Sequence, residues 1–262
     1  MRTIVFKFAA ALLMLTGAIH ATTAAAQDAE LSVLHGVPGL TVDVCVNGAV
    51  QLPDFTPGSL AGPLSLPAGT YTVAIFGDTI DCSGTPAIGP VDLPLAAGMS
   101  YTAVAHLDAT GTPTASLFTN DTSAAGAGEG KATVRHTAAN AEGVSILVNG
   151  SIDLGTFING GQLGPVALPA GTYSAEIKAG DVTVPPTPAD VPVTEGQNTI
   201  VYAWGDAASS AGVQLAVQVV DLEASGPAVP AAKPVPTMGT IGIIALVTLM
   251  LGIGLLGVRR LV

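Results

Sequence analysis

Alternating apolar and polar residues predict β-strands through the central part of the chain. In the run from Leu40 to Gly48, the side chains of Val42, Val44 and Val46 share one face, and polar residues occupy most of the other. This two-residue period is typical of a strand buried on one side. The Asn-Gly pair that closes the run is a hairpin-turn sequence. Similar short runs, separated by Gly and Pro, follow along the chain and predict an all-β fold.

One hexapeptide occurs twice. The sequence Leu-Pro-Ala-Gly-Thr-Tyr spans Leu66–Tyr71 and again Leu168–Tyr173, 102 positions later. Pro fixes φ near −65° and Gly accepts conformations that a Cβ resists, so each copy predicts a tight turn that leads into a strand. We interpret the chain as an internal duplication with roughly seven strands in each copy. This predicts two tandem immunoglobulin-like antiparallel β-sandwiches.

The duplication and the changes in composition divide the chain into seven predicted segments. They are a signal peptide (1–26), a first sandwich repeat (27–121), a flexible Ser/Ala/Gly-rich linker (122–130), a second sandwich repeat (131–224), a Pro/Ala-rich stalk (225–236), a transmembrane helix or sorting signal (237–258) and a cytoplasmic tail (259–262).

The two ends predict export and anchoring. Residues 1–26 combine basic residues, a short apolar run and an Ala-rich end, as a cleaved secretory signal does. Residues 237–258 form 22 uncharged positions, and a helix of that length spans about 33 Å, enough for a hydrocarbon core of roughly 30 Å. The positive-inside rule keeps Arg259 and Arg260 in the cytoplasm, which places both repeats outside the membrane.

The aligned copies indicate which strand faces are buried. Val33 aligns with Val134, whereas Leu34 aligns with Arg135. Because charged side chains are rarely buried, the pair predicts that Val33 points into the core and Leu34 points out.

Tyr71 and Tyr173 head the apolar row of the strand that follows each turn. A tyrosine in this position can bury its ring and donate its hydroxyl to a nearby backbone carbonyl, as the tyrosine corner of immunoglobulin-like sandwiches does. We therefore expect a structural role for both residues.

Acidic residues dominate the two repeats. All 19 Asp and Glu residues lie between Asp28 and Glu223, where the only basic side chains are Lys131, Arg135 and Lys178. Such a surface repels phosphate backbones, so we expect no nucleic-acid partner. Solubility alone explains the charge without a specific ligand.

Cys45 and Cys82 are the only cysteines. An even number in an exported chain favours a disulfide over two free thiols. Leu147 and Val184 occupy the matching positions of the second repeat, as if an apolar contact replaced the bridge there.

His35 and His136 end the first strand of each copy, while His106 is matched by Trp204. The sequence has no His-x-His or Cys-x-x-Cys spacing, so we predict no metal site. We expect each strand-end His to bond the backbone of the next loop, which is a structural role.

The sequence contains no serine-hydrolase elbow, zinc-protease motif, phosphate loop or dinucleotide fingerprint. We predict a protein that is not an enzyme and that has no cofactor. An alternative is a ligand-binding module, in which loop carboxylates such as Asp78 and Asp81 hold calcium or Trp204 contributes to a carbohydrate site. A solvated acidic surface without any ligand also explains the carboxylates in these loops.

Three stretches of the first copy, Val33–His35, Val42–Gly48 and Leu66–Tyr71, resemble the bacterial and archaeal domain of unknown function 4397 (DUF4397). The second copy is similar around His136, although Ser145 stands where the family has Asp. The resemblance implies extracytoplasmic β-sandwich modules, often in tandem.

The C-terminal end is similar to the Ile-Pro-Thr-Leu type of sorting signal (IPTL-CTERM) of Gram-negative bacteria. The residues that carry this likeness are Val235, Pro236, Thr237, Met238, Arg259 and Arg260. Val and Met replace the usual Ile and Leu, and the Ser-Glu-Trp that usually follows is absent. The likeness implies a sorting peptidase as a partner, whereas plain anchoring requires only the membrane.

Together these features predict a non-enzymatic, exported cell-envelope protein with a structural or adhesive role. Its domains lie outside the cytoplasm, either anchored in the cell membrane or sorted to the cell surface. An envelope polymer or another protein is the expected partner.

Overall fold

The computed structural model describes residues 26–77, 81–141, 143–179, 182–183 and 189–224. The predicted stalk, transmembrane helix and tail lie outside these residues, as does the predicted signal peptide up to residue 25. Within the described ranges, no helix is long and apolar enough to span a membrane.

The described residues confirm the all-β prediction, because every regular element is a strand. The first repeat contains β1 (Ala29–His35), β2 (Val42–Val46), β3 (Ala49–Phe55), β4 (Leu60–Leu66), β5 (Gly69–Gly77), β6 (Ile88–Leu95), β7 (Ser100–Leu107) and β8 (Pro113–Asn120). The second contains β9 (Glu129–Ala139), β10 (Val144–Val148), β11 (Ile152–Phe157), β12 (Gln162–Pro169), β13 (Gly171–Ala179), β14 (Val182–Thr183), β15 (Ala189–Val193), β16 (Gln197–Asp206) and β17 (Gly212–Asp221).

Each repeat has two sheets, which we call inner and outer. The inner sheets have the strand orders β4-β1-β7-β8 and β12-β9-β16-β17. The outer sheets have the orders β3-β2-β5-β6 and β11-β10-β13-β14, with β15 also paired to β13. In the first repeat, Leu31 and Tyr101 of the inner sheet pack with Leu93 and Leu95 of the outer sheet. The arrangement is sandwich-like in both copies.

The expectation of purely antiparallel sheets was wrong. β1 pairs with β7 in parallel, and β9 pairs with β16 in the same way. Strands joined by a tight hairpin must be antiparallel, but a long connection removes that constraint. Because the chain passes through the outer sheet between β1 and β7, these two strands can run in the same direction.

The inner sheets of the two repeats pack against each other. Leu34, Val104 and Phe118 of the first repeat form one buried cluster with Ile200 and Tyr202 of the second. Every residue of β7 is buried as a result. The central strands are therefore covered on both faces.

This packing overturns the prediction that Leu34 points into solvent. Leu34 does lie opposite Val33 on β1, but it is fully buried between the inner sheets, and its counterpart Arg135 is 1% exposed. Val33 faces the core of its own repeat. The alignment separated the two faces correctly but could not show that the second face is covered by the other repeat.

The predicted linker, residues 122–130, is held by bonds to both repeats. β9 begins within it, at Glu129. The Lys131 ammonium donates to Asp121 Oδ1 at 2.7 Å and to the Ser123 carbonyl at 2.8 Å. The Glu223 amide donates to the Thr122 carbonyl at 2.6 Å. These bonds fix the connection that we expected to be flexible.

Candidate functional site

The structure joins Cys45 and Cys82 in a disulfide across 37 positions of sequence, as predicted. Cys45 lies in β2 of the outer sheet, whereas Cys82 lies in the loop between β5 and β6. The bridge therefore ties that loop to the sheet. Cys45 itself is buried, with 2% of its surface exposed.

His35 and His136 both bond the loop that follows their strand. His35 Nε2 lies 2.7 Å from the Leu40 carbonyl oxygen, and His136 Nε2 lies 2.7 Å from that of Ala141. Burial lowers the pKa of both imidazoles, and the bond to the carbonyl opposes the shift. These are the loop bonds expected for a structural histidine.

His106 is buried in β7, where its ring bonds neighbouring protein groups. Nδ1 lies 2.8 Å from the Leu107 carbonyl oxygen and Nε2 lies 2.9 Å from Ser116 Oγ. Burial lowers the pKa of the His106 ring. In the described part of the chain, no three His, Cys, Asp or Glu side chains come together in a group that could hold a metal ion.

The two hexapeptide turns place their tyrosines identically. The Tyr71 hydroxyl donates to the Pro67 carbonyl at 2.8 Å, and the Tyr173 hydroxyl donates to the Pro169 carbonyl at 2.9 Å. Each bond closes the turn that precedes β5 or β13. This arrangement gives both tyrosines a structural use. The sorting residues 235–238, 259 and 260 lie outside the described ranges.

Arg135 in β9 lies between the inner sheets. Its Nη1 donates to Asn120 Oδ1 of the first repeat at 2.9 Å and to the Tyr202 hydroxyl at 2.6 Å. Its Nη2 donates to the Thr119 carbonyl at 3.0 Å. The guanidinium carbon is 4.6 Å from the centroid of the Phe118 ring, within cation–π range. Burial lowers the pKa of the guanidinium, and the Tyr202 hydroxyl opposes that shift.

Gln218 in β17 extends this network across the same interface. Its Oε1 accepts hydrogen bonds from the Tyr202 hydroxyl at 2.6 Å and from the Thr102 hydroxyl at 2.9 Å. Its Nε2 donates to Ser32 Oγ at 3.1 Å. Ser32 and Thr102 belong to β1 and β7 of the first repeat. Because an unsatisfied buried polar group costs about 1–3 kcal/mol, the network specifies how the repeats are aligned.

Trp204 lies at the same interface and is 8% exposed. Its side chain is close to two glycines of the first repeat: a Cβ on Gly58 would lie 2.9 Å from the ring atom Cζ2, and a Cβ on Gly36 would lie 3.2 Å from Trp204 Cβ. Sugar sites stack on exposed aromatic faces, and this ring has none. The carbohydrate alternative therefore loses the residue on which it was based.

Several loop carboxylates close their own turns. Asp108 Oδ1 accepts the backbone N–H groups of Thr110 and Thr112 at 2.8 and 2.9 Å. These bonds hold the pKa of the Asp108 carboxyl below its usual value. Asp81 accepts from Ser83 and Asp206 from Ala208 in the same two-residue pattern. These oxygens are thus used in turn formation, whereas Asp78 lies outside the described residues.

A cavity of about 150 Å³ lies between the inner and outer sheets of the second repeat. Ala132 and Leu163 line it from the inner sheet, and Ile146 and Val191 line it from the outer sheet. The lining is almost wholly aliphatic, with the ring of Tyr173 at one side.

The cavity reaches the surface between two edge strands. Ile152 on β11 and Val166 on β12 line it, and these side chains are 54% and 39% exposed. β11 and β12 are the terminal strands of the outer and inner sheets. An apolar opening therefore lies along this side of the second repeat.

A smaller cavity of about 40 Å³ lies between the sheets of the first repeat, and it shares part of the equivalent lining, including Leu31, Val44 and Leu93. Leu31 stands where the second repeat has Ala132, and Leu93 stands where it has Val191, as the matching strand registers show. Both leucines are 4% exposed and belong to the core of the first repeat. These larger side chains take up volume at two positions of the wall, whereas Leu163 of the second repeat is larger than its counterpart Ala61.

Sequence reasoning missed both the interface and the cavity, although each left a signal. β16 contains the continuous apolar run Ile200–Trp204, which is typical of a strand covered on both faces. The two replacements of Leu by Ala and Val were visible in the aligned copies. A single pair of copies could not distinguish a cavity from repacking by other side chains.

Residues 29–147 match the family model described as "Domain of unknown function (DUF4397)". The match confirms the resemblance for the first repeat and the first two strands of the second. A similar solved structure is that of a candidate cell adhesion protein from Bacteroides ovatus, which is 10% identical; the match covers 76% of this chain and 99% of that one, with a TM-score of 0.23. No curated protein matches the sequence.

Proposed function

We propose that this chain is a non-enzymatic, exported protein of the cell envelope with a structural or adhesive role. Two immunoglobulin-like sandwiches form its outer part, and the C-terminal segment anchors it in the membrane or directs its sorting to the surface. One observation carries the proposal. The inner sheets bury the polar network of Arg135 and Gln218 between the repeats, so the described region is a single stiff unit that suits a spacer or an adhesin.

The hydrogen bonds that the reactive side chains make within the protein support the non-enzymatic part of the proposal. The rings of His35, His106 and His136 bond backbone or hydroxyl groups in the interior. The carboxylate of Asp108 closes its own turn. A catalytic group needs a neighbour that activates it and a cleft that receives substrate, and these side chains are instead engaged in packing.

The Cys45–Cys82 disulfide supports a location outside the cytoplasm, because disulfides persist in oxidising compartments. The 19 acidic residues of the repeats support a soluble, exposed surface. Binding to an envelope polymer or protein would then use loops and exposed strand edges.

Fractionation of the producing cells, with mass spectrometry of the mature C-terminus, tests anchoring and sorting. An intact tail in the inner membrane supports plain anchoring, whereas a tail missing beyond the region of Val235 supports a sorting peptidase. A chain that stays in the cytoplasm with its first 26 residues intact would overturn the proposal.

The adhesive role is tested by deleting the gene and measuring cell attachment and envelope integrity. Loss of either, restored by the wild-type chain but not by a chain without residues 1–26, is the expected result. Normal attachment together with normal integrity would contradict both roles. A thermal-shift titration with calcium tests the remaining alternative, because a saturable rise in Tm would favour a cation-binding module.

A further inference from the structure

We propose that the cavity in the second repeat is a binding site for a free, uncharged aliphatic small molecule. This activity goes beyond the structural or adhesive role and does not depend on it. The proposal is based on the size and lining of the cavity, the difference between the two repeats, the positions of the basic side chains and the form of the edge strands.

The size and lining define an apolar ligand of about six carbons. An aliphatic cavity of about 150 Å³ accepts a molecule as large as benzene, and the cavity of the second repeat has that volume. The Tyr173 hydroxyl already donates to the Pro169 carbonyl, so it needs no partner from a ligand. A hydrocarbon chain would fill the space without losing hydrogen bonds to water.

The two copies differ in the side chains that line this space. Leu31 and Leu93 occupy the positions of Ala132 and Val191 in the first repeat, where the cavity that they line is about 40 Å³. The surrounding strand registers match. Ala132 and Val191 therefore enlarge the space at these two positions, on strands whose registers match those of the first repeat.

The positions of the basic side chains in the two repeats argue against an anionic ligand. Between residues 28 and 223 they are Lys131, Arg135 and Lys178. Lys131 is paired with a carboxylate at 2.7 Å, Lys178 lies 4.0 Å from another, and Arg135 is buried between the inner sheets. Exposed Asp153 lies on the same strand as Ile152 and adds negative charge to this side of the repeat, which disfavours an anionic head group. The ligand is therefore uncharged.

The edge strands disfavour an added peptide strand as the occupant. Strand addition requires an unbroken row of backbone donors and acceptors. On β12, Pro165 has no N–H, and the register shifts between Leu163 and Val166. On β11, Gly155 has a φ of +94°, in the left-handed region. Both edges are thus irregular where the cavity opens, which protects them from pairing.

The test uses the full chain in phosphatidylcholine nanodiscs, with ¹³C-labelled Ile, Leu and Val methyl groups followed by NMR. n-Hexanol is the probe and hexanoate is its charged control. We expect saturable hexanol shifts at Ile146 and Val191 but not at Leu93 of the filled repeat. Hexanoate should require at least about tenfold higher concentration, the factor that corresponds to 1.4 kcal/mol.

The double variant Ala132→Leu/Val191→Leu copies the first repeat into the second. It should abolish the hexanol shift at Ile146, or weaken binding by about tenfold or more. If it does not fold, Ala175→Val, which copies Val73, provides a milder filling. The reciprocal Leu31→Ala/Leu93→Val should create hexanol shifts in the first repeat.

Four outcomes would overturn the proposal. The first three are no saturable hexanol shift in the wild type, a shift that persists in the filled variants, and equal affinity for hexanol and hexanoate. The fourth is a set of cross-peaks between the nanodisc lipid chains and the Val191 methyl groups, which would show that a lipid chain and not a free molecule occupies the cavity. Normal cell attachment by the filled variant would leave the adhesive role intact, so the two proposals fail separately.

Discussion

Arg135 of the second repeat donates a hydrogen bond to Asn120 of the first at 2.9 Å, inside a face where Arg135 is 1% exposed and Asn120 is 2% exposed. The guanidinium is held by neutral amide, hydroxyl and carbonyl groups and by an aromatic ring. The buried positive charge of Arg135 is tolerated because these groups direct their hydrogen-bond acceptors and the ring face toward the guanidinium. The pair therefore couples the position of one repeat to the other.

Replacing Arg135 by Leu, the residue at the matching position of the first repeat, should destabilise the protein by about 2–4 kcal/mol. Asn120 and Tyr202 would lose a donor in a buried place, and each unsatisfied group costs about 1–3 kcal/mol. Urea unfolding of the intact chain measures the change. Lys178→Met, at a partly exposed site, is the matched control and should shift stability by no more than about 0.5 kcal/mol.

An Arg135→Leu protein as stable as the wild type would contradict this account of the interface. The shape of the unfolding curve provides a second test. We expect the wild-type repeats to unfold together and the variant to show separated transitions, because the network that joins them is broken.

Tyr71→Phe should cost about 0.5–1.5 kcal/mol, the net contribution of one hydrogen bond, because it removes the bond to the Pro67 carbonyl and keeps the ring. Tyr173→Phe should cost a similar amount, because the second turn has the same geometry. Thermal unfolding with each variant measures this. A loss of ligand or partner binding with unchanged stability would instead indicate that the turn is a recognition site.

Alkylation without reductant should leave the mass of the chain unchanged, because Cys45 and Cys82 are bonded to each other. After reduction, two alkyl groups should be added and stability should fall by about 3–4 kcal/mol, the value for closing a loop of this length. Intact-mass spectrometry and urea unfolding measure the two effects. Two modified cysteines before reduction would disprove the bridge.

Acidification from pH 7.5 to pH 5 should lower stability. Burial holds the pKa values of His35, His106 and His136 below the ordinary value of 6.5. The unfolded chain therefore binds more protons than the folded chain once the pH drops below about 6.5, so protonation favours unfolding. Thermal unfolding across this range measures the slope.

His106→Gln removes one of these titrating groups, and its stability should depend less steeply on pH over the same range. The comparison uses only the slope of stability against pH for the variant and the wild type. A loss of stability that is the same at every pH, caused by the missing hydrogen bonds of the His106 ring, therefore does not affect it. Unchanged or rising wild-type stability on acidification would contradict the buried, neutral state of the histidines.

Features that depend on a few neighbouring residues could be predicted from the chain alone. Pro and Gly define the conformation of the turn that ends in Tyr71, and the two-residue period defines the strand around Val44. The pairing of Cys45 with Cys82 followed from their number and from export. Duplication strengthened the inferences on turns and strands, because a local rule that holds twice is rarely accidental.

The tertiary structure decided what covers the second face of each inner sheet. A polar side chain on a strand indicates solvent only when nothing packs on that face, and Arg135 lies on a face covered by the other repeat. The same packing between the repeats buried Trp204. The long connection through the outer sheet allowed β1 to run parallel to β7.

The sequence by itself thus determined the strands, their turns and the bridge between Cys45 and Cys82, since backbone conformational preferences and hydrophobic period act over a few residues. Only the tertiary structure decided the joining of the repeats through Arg135 and the open space beside Ala132. Both depend on the shapes of surfaces that meet from distant parts of the chain, and close packing responds to each methyl group at such contacts.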